Sequence, residues 1–330
     1  MQYSNDKTRL LFAGTFCGAG RAGPGRLVIG GTRFSAGVSE APGLSYLGAR
    51  PDRLAWRINP KDLDRRLRAD VLSAAFVTAE LAVDTDQLAD LVAAALDASP
   101  YISFYPGHKV CEIGRKADDF IISGDAPEGP WTLNSTKVVN ATWESRIGLD
   151  ATLGIEPPPG WLYRLKYRVL ANLPEDLQYA PSATMVLGRY GDVVIRPDRT
   201  AYLSWYPAGL RGWGNALRPP DDWDEASRGE VNDHSADLIA DFLAGIEPWY
   251  PGIVRCKPFH VDAGVIVAYG QTDVDDLHSG LHDRTRVGVT SIGGYYSVDP
   301  GKLTTAPLFA MEAAEKVAAE SEKPLPAKMV

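Results

Sequence analysis

A stretch near the C-terminus, residues 293–316, has the residue types of a loop that binds a ligand and leads into a helix. Gly293, Gly294 and Gly301 would let the backbone approach a flat ligand closely, because glycine has no side chain and tolerates unusual backbone angles. They are followed by Pro307 and an Ala-rich segment, and proline is favoured in the first turn of a helix. The start of such a helix presents free N–H groups, which suit a phosphate or an electron-rich carbonyl.

The same stretch predicts how the helix is built. Thr304 or Thr305 can cap its first turn, and Leu308, Phe309 and Val317 would form its inward face. An ordinary capped terminal helix that packs on a domain would show the same pattern, so both interpretations are open.

A second polar cluster lies at residues 271–284. Its acidic and histidine side chains are Asp273, Asp275, Asp276, His278, His282 and Asp283. Such residues could form a hard-metal loop or a paired-carboxylate site, but the Gly and the terminal Glu of a calcium loop are absent. Two histidines with aspartate neighbours do not define a zinc geometry either. We therefore favour a polar surface connection and predict no metal site.

Near the N-terminus, Gly18, Gly20 and Gly23 form a formal G-x-G-x-x-G after an apolar run that could be a strand. A dinucleotide fingerprint also needs a helix that begins at the motif, because the helix N-terminus holds the pyrophosphate. A proline and a further glycine follow immediately, so no helix of useful length fits there. The pattern predicts an irregular Gly/Pro-rich segment over residues 1–45, poorly packed relative to the rest of the chain.

Hydrophobic periodicity predicts the elements that must position these residues. Residues 71–78 have a strand pattern, and residues 84–98 a helix pattern with Asp84 as its cap and Gln87 at the capping-box position. Short strands are predicted at 102–104, 108–113, 120–123 and 138–141. The last of these is a compact apolar run that suits burial in a mixed or parallel sheet.

Beyond about residue 150, short β runs alternate with turn residues, which predicts an antiparallel meander. Tyr202, Trp205 and Tyr206, with Arg164 nearby, could line a pocket that receives a polar or anionic substrate. The alternative is a sheet whose aromatic side chains face a core and whose cations face solvent.

Composition bounds the class of protein. The 330 residues carry a formal net charge of −8 and no basic run, which argues against a nucleic-acid partner. Three widely spaced cysteines without metal-ligand spacing fit a reducing cytoplasm. No apolar run approaches the ~18 residues needed to span a membrane. These features predict a globular, cytoplasmic protein with a small-molecule substrate.

The segment GGYYSVDPGKLTTAPLFA, which begins at Gly293, resembles the C-terminal flavin-binding segment of the D-amino-acid-oxidase-like FAD-dependent oxidoreductases. In that family a Gly-rich turn, a G-[KL]-[LT]-T-x-A-P core and a helix directed at the flavin occur together. Residues 74–96 resemble the segment that leads into a helix of the FAD domain. KVVNATWESRIGLDATLG, residues 137–154, resembles a strand and turn often written V-V-N-A-x-G. The usual N-terminal unit of the family, a strand, Gly fingerprint, long helix and acidic strand end, is not recognisable here.

The resemblance implies an α/β (α+β) fold, in which a partial FAD-binding Rossmann-like domain contains an inserted antiparallel β-sheet substrate domain. The implied divisions are an irregular N-terminus over 1–45, FAD-binding-like segments over 46–149 and 271–320, a substrate domain over 150–270 and a flexible tail over 321–330. The implied function is oxidation of a small amine or alcohol by hydride transfer to FAD. The alternative is a degenerate paralogue without FAD that serves as an interaction module.

The resemblance also implies a set of site residues. Those expected to contact the cofactor are Val110, Ala141, Thr142, Gly293, Gly294, Tyr295, Gly301, Lys302, Leu303, Thr304 and Thr305. The residues expected to contact the substrate, Arg164, Tyr202, Trp205 and Tyr206, are indicated by the density of aromatic residues and the nearby cations and not by the resemblance. No catalytic acid or base is assigned. Because the pyrophosphate would lack its helix, we expect this chain to bind FAD weakly or not at all.

Overall fold

The computed structural model describes residues 9–14, 55–186, 190–223, 233–270 and 286–320, with the isolated positions 272, 278 and 280. Most of the N-terminal segment, the acidic cluster apart from His278, and the tail from residue 321 lie outside the described residues. Within the described ranges the chain has a mixed helix and sheet fold with antiparallel sheets, which confirms the predicted fold class. None of the described helices is both long enough and apolar enough to cross a bilayer.

The strands of the described residues are numbered in chain order. They are β1 (Arg9–Gly14), β2 (Ala55–Arg57), β3 (Ala74–Leu81), β4 (Lys109–Lys116), β5 (Asp119–Ala126), β6 (Gly129–Ser135), β7 (Val138–Asn140), β8 (Trp161–Asn172), β9 (Ser182–Val186), β10 (Gly191–Ile195), β11 (Thr200–Trp205), β12 (Leu210–Gly214), β13 (Lys257–Tyr269), β14 (Gly288–Ile292) and β15 (Tyr295–Asp299). The helices are α1 (Thr85–Ala98), α2 (Arg146–Thr152), α3 (Tyr206–Gly209), α4 (Asp233–Ile246) and α5 (Ala306–Ala319), and a 3₁₀ turn at Leu303–Thr305 precedes α5.

The chain divides into two compact units. Unit 1 consists of Met1–Asp90, Lys166–Arg211 and Ala226–Ala263, and unit 2 consists of Leu91–Leu165, Gly212–Glu225 and Gly264–Val330. This clustering puts residues 55–90 in unit 1, together with most of the predicted antiparallel meander. The domain boundaries implied by the resemblance stay a prediction.

Nine strands form one sheet with the order β12-β8-β11-β10-β9-β1-β3-β2, and β13 pairs with β8. The meander β8–β11 is antiparallel, as the turn residues predict. Alternation along the strands buries Val193 and Leu203 on the face covered by α4, whose Phe242 and Ile246 are fully buried. The helix lies close to the sheet because Gly245 faces Trp205, where a Cβ atom would come within 2.1 Å of the indole Nε1.

β1 has an unexpected position. It pairs antiparallel with β3 and parallel with β9. The formal G-x-G-x-x-G that begins at Gly18 follows this strand directly in the sequence. The strand that would lead into a dinucleotide fingerprint is therefore paired within the nine-stranded sheet.

Unit 2 contains two smaller sheets. β4, β5 and β6 form an antiparallel meander, and the order of the other sheet is β14-β15-β7. In the latter, β14 and β15 form a hairpin, whereas β15 runs parallel to β7. α2 packs against β7 and β15, and α5 packs against β14 and β15. The parallel pairing of 138–140 agrees with the prediction, but the predicted burial is incomplete, since Val139 is 47% exposed.

Local signals predicted where the two helices α1 and α5 begin. The helix predicted over 84–98 begins at Thr85, and Asp84 Oδ1 accepts hydrogen bonds of 3.1 Å from the N–H groups of Asp86 and Gln87, which confirms the cap. Pro307 lies in the first turn of α5, as predicted. The predicted threonine cap is wrong, because the hydroxyl of Thr305 donates to main-chain carbonyls of the preceding turn.

Two other local predictions fail. Residues 102–104 do not form a strand, because no described strand lies beside them to complete a ladder. Leu308 does not contribute to the inward face of α5, since its side chain is 61% exposed, and Ala313 is the buried residue of that helix. Both errors concern which neighbour a segment meets, and the local sequence does not specify this.

Candidate ligand site at the carboxyl ends of the parallel strands

The parallel pair β7 and β15 brings the carboxyl ends of both strands to one edge of the sheet. Ligands of open α/β sheets bind in the crevice outside such carboxyl ends. Ala141 and Thr142 follow β7 directly, and the segment 300–305 follows β15 and leads into α5. Seven of the residues predicted to contact a cofactor, Ala141, Thr142, Gly301, Lys302, Leu303, Thr304 and Thr305, therefore follow the ends of these two strands.

The start of the terminal helix offers hydrogen-bond donors. Within the described residues, the N–H groups of Leu303 and Thr304 have no hydrogen-bond acceptor. Gly301 adopts a left-handed conformation with φ +64°, and its N–H donates to Asp299 Oδ1 at 3.0 Å. The turn therefore fixes the backbone of the loop and leaves two N–H groups for a ligand at a helix N-terminus.

Gly293 and Gly294 lie at the other end of β15. They form the two-residue turn of the β14–β15 hairpin with φ values of +52° and +86°, the positive angles that such tight turns require. Arg115 donates to the carbonyl of Gly293, and the carbonyl of Gly294 accepts from Val138 N at 3.0 Å. The length of β15, roughly 16 Å, separates them from Gly301. The structure therefore does not bring the two glycine groups together.

A buried polar network lies beneath the site. Asp150, on α2, accepts four hydrogen bonds: from Asn140 Nδ2 at 2.9 Å, Tyr295 Oη at 2.6 Å, Ser297 Oγ at 2.7 Å and Arg146 Nη1 at 3.3 Å. The side chains come from β7, α2 and β15. The network therefore ties the two parallel strands to the helix that follows the first of them.

Asp299 forms the second half of the network. Its Oδ2 accepts from Arg146 Nη2 at 2.9 Å and from Tyr269 Oη at 3.2 Å. The guanidinium of Arg146 thus lies between the buried carboxylates of Asp150 and Asp299. Burial raises the pKa of Tyr269, and the neighbouring Asp299 adds to this effect. Burial also raises the pKa of Tyr295, and the hydrogen bond from this hydroxyl to Asp150 raises it further. Both phenols therefore remain protonated and act as donors at neutral pH.

A cavity of about 160 Å³ adjoins this network. Its lining includes Arg146, Asp150 and Asp299, with Glu156 and Arg286 also contributing. Pockets for drug-sized ligands measure roughly 300–1,000 Å³. The cavity therefore has room for a few water molecules or a very small polar ligand, and it is too small for a dinucleotide.

The residues predicted to contact a substrate occupy different environments. In unit 1, burial raises the pKa of Tyr202, and the guanidinium of Arg168 lies 6.0 Å from the centroid of its ring. Lys166 Nζ lies 4.0 Å from the ring centroid of Tyr206. Trp205 points the other way, into the core beneath α4, and is 5% exposed. Of the three aromatic residues, Tyr202 and Tyr206 therefore lie beside cations, and Trp205 does not.

Arg164, the fourth of these residues, belongs to unit 2. Its side chain is fully buried, and Nη2 donates to the carbonyls of Gly270 at 3.0 Å and Thr272 at 3.1 Å. Its guanidinium also stacks on the ring of Trp213, 5.0 Å from the centroid. Val110, also in unit 2, is a half-buried residue of β4 that packs against the small apolar core around Phe120. The contacts of Arg164 and Val110 thus give both residues a structural role within unit 2.

No protein-family profile matches the sequence, and no curated protein matches it. The structure is similar to iminodiacetate oxidase from Chelativorans sp. BNC1, with a TM-score of 0.61 at 14% identity over 98% of this chain and 74% of that one. It is similar to L-α-glycerophosphate oxidase from Mycoplasma pneumoniae with FAD bound, with a TM-score of 0.60 at 14% identity over 94% and 73%. For glycine oxidase from Geobacillus kaustophilus the TM-score is 0.59 at 14% identity, over 97% and 73%.

The chain has the fold of the D-amino-acid-oxidase-like FAD-dependent oxidoreductases. At this level of identity the likeness concerns the fold, whereas activity depends on the residues of the site. About a quarter of each of the three neighbours has no counterpart in this chain.

Trp143 is a residue of the site that the sequence patterns did not single out. It occupies the position of the glycine in V-V-N-A-x-G and has a left-handed φ of +53°. Such a backbone is an outlier for a bulky side chain. The indole Nε1 donates to the carbonyl of Val265 at 2.7 Å. The signal that could have identified it in the sequence is a tryptophan, directly after Ala141 and Thr142, at a position where the V-V-N-A-x-G pattern has glycine.

Arg146 and Asp150 were also missed. The available signal was their spacing of four residues, which places oppositely charged side chains on one face of a helix. That spacing is common on exposed helices. Only the tertiary structure shows that both side chains are buried and that Asp299 completes the network.

The described residues fit FAD in part. The N–H groups of Leu303 and Thr304 suit the electron-rich pyrimidine edge of a flavin. The strand that precedes the glycine motif is paired with β3 and β9, and Trp143 replaces the glycine that follows β7. Among the described residues, no glycine loop leads into a helix beside β7 to bind the pyrophosphate. The described residues therefore fit one end of the cofactor, and the glycine motif that begins at Gly18 lies outside them.

Proposed function

We propose that the protein is an FAD-dependent oxidoreductase that acts on a small amine or alcohol in the cytoplasm. The observation that carries this proposal is the pair of N–H groups at Leu303 and Thr304, which have no acceptor among the described residues and lie beyond the carboxyl ends of two parallel strands. The fold shared with three oxidases, one of them with FAD bound, supports it. When bound, the flavin would supply the acceptor of a hydride from the substrate.

In such a reaction the protein would bind and orient the cofactor and the substrate. We propose that Ala141, Thr142 and the segment 301–305 contact the cofactor. Tyr202 and Tyr206 would contact the substrate. Lys166, beside Tyr206, would favour a substrate that carries a carboxylate or another anionic group, whereas Arg168, beside Tyr202, is already paired with Asp262. The hairpin glycines, Tyr295, Val110, Arg164 and Trp205 would contribute by holding the strands in place.

The visible absorbance spectrum tests the cofactor. We expect the purified protein to be colourless or pale, and to bind flavin measurably only when FAD is added. Thr304→Pro removes one free N–H at a helix start, where proline is tolerated, and should raise the FAD dissociation constant about tenfold. Thr304→Ala keeps that N–H and is the matched control.

Two results would reject the proposal. One is a folded protein that binds no FAD at millimolar concentration. The other is a protein that binds FAD but leaves it oxidised after anaerobic incubation with a panel of small amines and alcohols. Equal FAD affinity in Thr304→Pro and Thr304→Ala would remove the role assigned to this N–H group.

A second candidate function is an interaction module without FAD. Trp143 and the pairing of β1 in the nine-stranded sheet favour it, because both differ from what a dinucleotide site needs. The absence of FAD binding by a folded protein would support this candidate.

A further inference from the structure

The side chain of Asp299 joins the loop after β15 to the buried network. Its Oδ1 accepts from the N–H of Gly301 at 3.0 Å. Its Oδ2 accepts from Arg146 Nη2 at 2.9 Å and from Tyr269 Oη at 3.2 Å. Asp299 is only 7% exposed, so all three bonds form away from bulk water. One carboxylate oxygen therefore holds the loop, and the other holds Asp299 itself in place.

The bond from Gly301 closes the turn at the start of the loop. An aspartate that accepts the N–H two residues further on forms an Asx-turn, in which a side chain replaces a main-chain acceptor. Gly301 has a left-handed φ of +64°, and a Cβ atom there would lie 2.6 Å from Val287 Cγ1. Because glycine brings no side chain that could hold the loop, Asp299 supplies that contact.

The loop beyond Gly301 carries the hydrogen-bond donors of the candidate site. Thr305 N donates to the carbonyl of Lys302 at 3.2 Å, which closes the loop on its other side. The N–H groups of Leu303 and Thr304 lie between these two turns and have no acceptor among the described residues. Their direction is therefore set by the turn at Gly301.

The charge of Asp299 and its bond to the loop are separate properties. The charge compensates Arg146, which is buried and shares its guanidinium between Asp150 and Asp299. Removing one partner from such a buried pair is strongly destabilising. An amide oxygen at position 299 could still accept from Gly301, but it would leave Arg146 with one carboxylate. A substitution can therefore remove the charge without removing the turn.

We propose that Asp299 is a positioning residue for the candidate site. Held by Arg146 on one oxygen, it fixes the turn at Gly301 through the other. That turn directs the N–H groups of Leu303 and Thr304 to the ligand, which Asp299 itself does not contact. The identity of the ligand, the electron-rich edge of a flavin, rests on the proposed function. The control of the turn by Asp299 stands independently of it.

Amide hydrogen exchange in the full chain without flavin tests the turn. The Gly301 amide should be protected in the wild type, because it is bonded to Asp299. Asp299→Ala removes the acceptor and should speed this exchange at least about tenfold, whereas Asp299→Asn keeps an oxygen and should stay within about threefold. Asp150→Asn is the matched control and should also stay within about threefold. The four bonds of Asp150 all go to other members of the network.

The dissociation constant of FAD, measured by the quenching of flavin fluorescence, tests the effect on the site. We expect Asp299→Ala to raise it at least about tenfold, and both asparagine variants to raise it less than about threefold. Asp299→Asn and Asp150→Asn each leave Arg146 with a single carboxylate, so both should unfold at lower urea concentrations than the wild type. An affinity that follows the turn and not the stability distinguishes a positioning residue from a structural one.

One comparison needs no variant, so it decides the matter even if Asp299→Ala fails to fold. In the wild type, added FAD should slow the exchange of the Leu303 and Thr304 amides and leave the Gly301 amide, already bonded to Asp299, unchanged.

Three results would overturn the assignment of Asp299. The first is a Gly301 amide that exchanges as fast in the wild type as in an unstructured peptide. The second is bound FAD that leaves the amides of Leu303 and Thr304 unprotected. The third is equal FAD affinity in Asp299→Ala and Asp299→Asn. Exchange at Gly301 in the expected order without any FAD binding would sustain the control of the turn and reject the oxidoreductase.

Discussion

The two units differ in the side chains at the centre of the regions described above. Unit 1 packs α4 on its sheet through a continuous apolar core that includes Val169, Leu203, Phe242 and Trp249, all at most 1% exposed. Unit 2 also buries apolar side chains, such as Ile147, Tyr163 and Tyr296, but the centre beneath its candidate site is the network of Arg146 with Asp150 and Asp299. An apolar core stabilises by removing area from water, whereas a buried charge network is stable only while every member keeps its partners.

This contrast indicates where function is expected. A polar network costs more desolvation free energy than an apolar core of the same size, and we propose that this one positions the candidate site. In unit 2 it holds the carboxyl ends of β7 and β15, next to the free N–H groups at Leu303 and Thr304. Unit 1 contains the large apolar core beneath α4, and unit 2 carries the candidate cofactor contacts.

The largest expected effect is on the core of unit 1. Phe242→Ala leaves a cavity under the sheet and should lower the free energy of unfolding by about 4 kcal/mol. Phe259→Ala, at a position 45% exposed in the same unit, is the control and should cost less than about 1 kcal/mol. Urea unfolding of both variants measures the difference. Equal costs would show that burial beneath α4 does not dominate the stability of unit 1.

Breaking the network of unit 2 should be nearly as costly. Arg146→Met leaves two buried carboxylates without their guanidinium, and we expect a loss of about 3 kcal/mol. The control is Arg255→Met, which breaks an ion pair with Asp176 whose side chains are 52% and 61% exposed and should cost less than about 1 kcal/mol. Amide exchange in β15 and in β10 distinguishes the units. Uniform loss of protection in both strands would contradict the separate roles assigned to them.

A smaller effect is expected at alkaline pH. Burial raises the pKa of Tyr163 to about 12, and its hydroxyl donates to the carbonyl of Glu144 at 2.8 Å. Because the folded-state pKa lies above the unfolded value of 10, the neutral phenol stabilises the fold fully below pH 10, and that contribution is lost as pH rises from 10 to about 12.

Urea midpoints between pH 9 and pH 12 measure this dependence. Tyr163→Phe should flatten the curve in that window, although Tyr202 and Tyr250 in unit 1, whose pKa values burial also raises, keep part of the slope. An identical slope in the wild type and in Tyr163→Phe would show that this phenol does not contribute.

The smallest expected effect concerns the backbone at Trp143. Both Trp143→Gly and Trp143→Ala lose the hydrogen bond to Val265, but only glycine adopts the left-handed φ without strain. We expect the glycine variant to be more stable than the alanine variant by about 1 kcal/mol. Thermal unfolding of the two variants measures it, and a more stable alanine variant would show that the left-handed conformation is not retained.

Local sequence was sufficient for the elements whose signals lie within a few residues. The cap at Asp84, the helix over 85–98, the proline at the start of α5 and the compact strand at 138–140 were all predictable, because caps and periodicity depend on near neighbours. The order of short strands beyond residue 150 also indicated an antiparallel meander. The resemblance to the flavin oxidoreductases rested on such local stretches, and it identified the fold.

The tertiary structure alone decided which of these elements meet. Asp150 and Ser297 are 147 residues apart, and β1 pairs with a strand that begins at Ser182; neither contact leaves a mark in the sequence. The glycines at 293 and 294 form a hairpin turn remote from Gly301, although both groups are equally suited to a ligand loop. Residue spacing specifies local periodicity, whereas long-range partners are chosen by the complementarity of whole surfaces, and that appears only when the chain is folded.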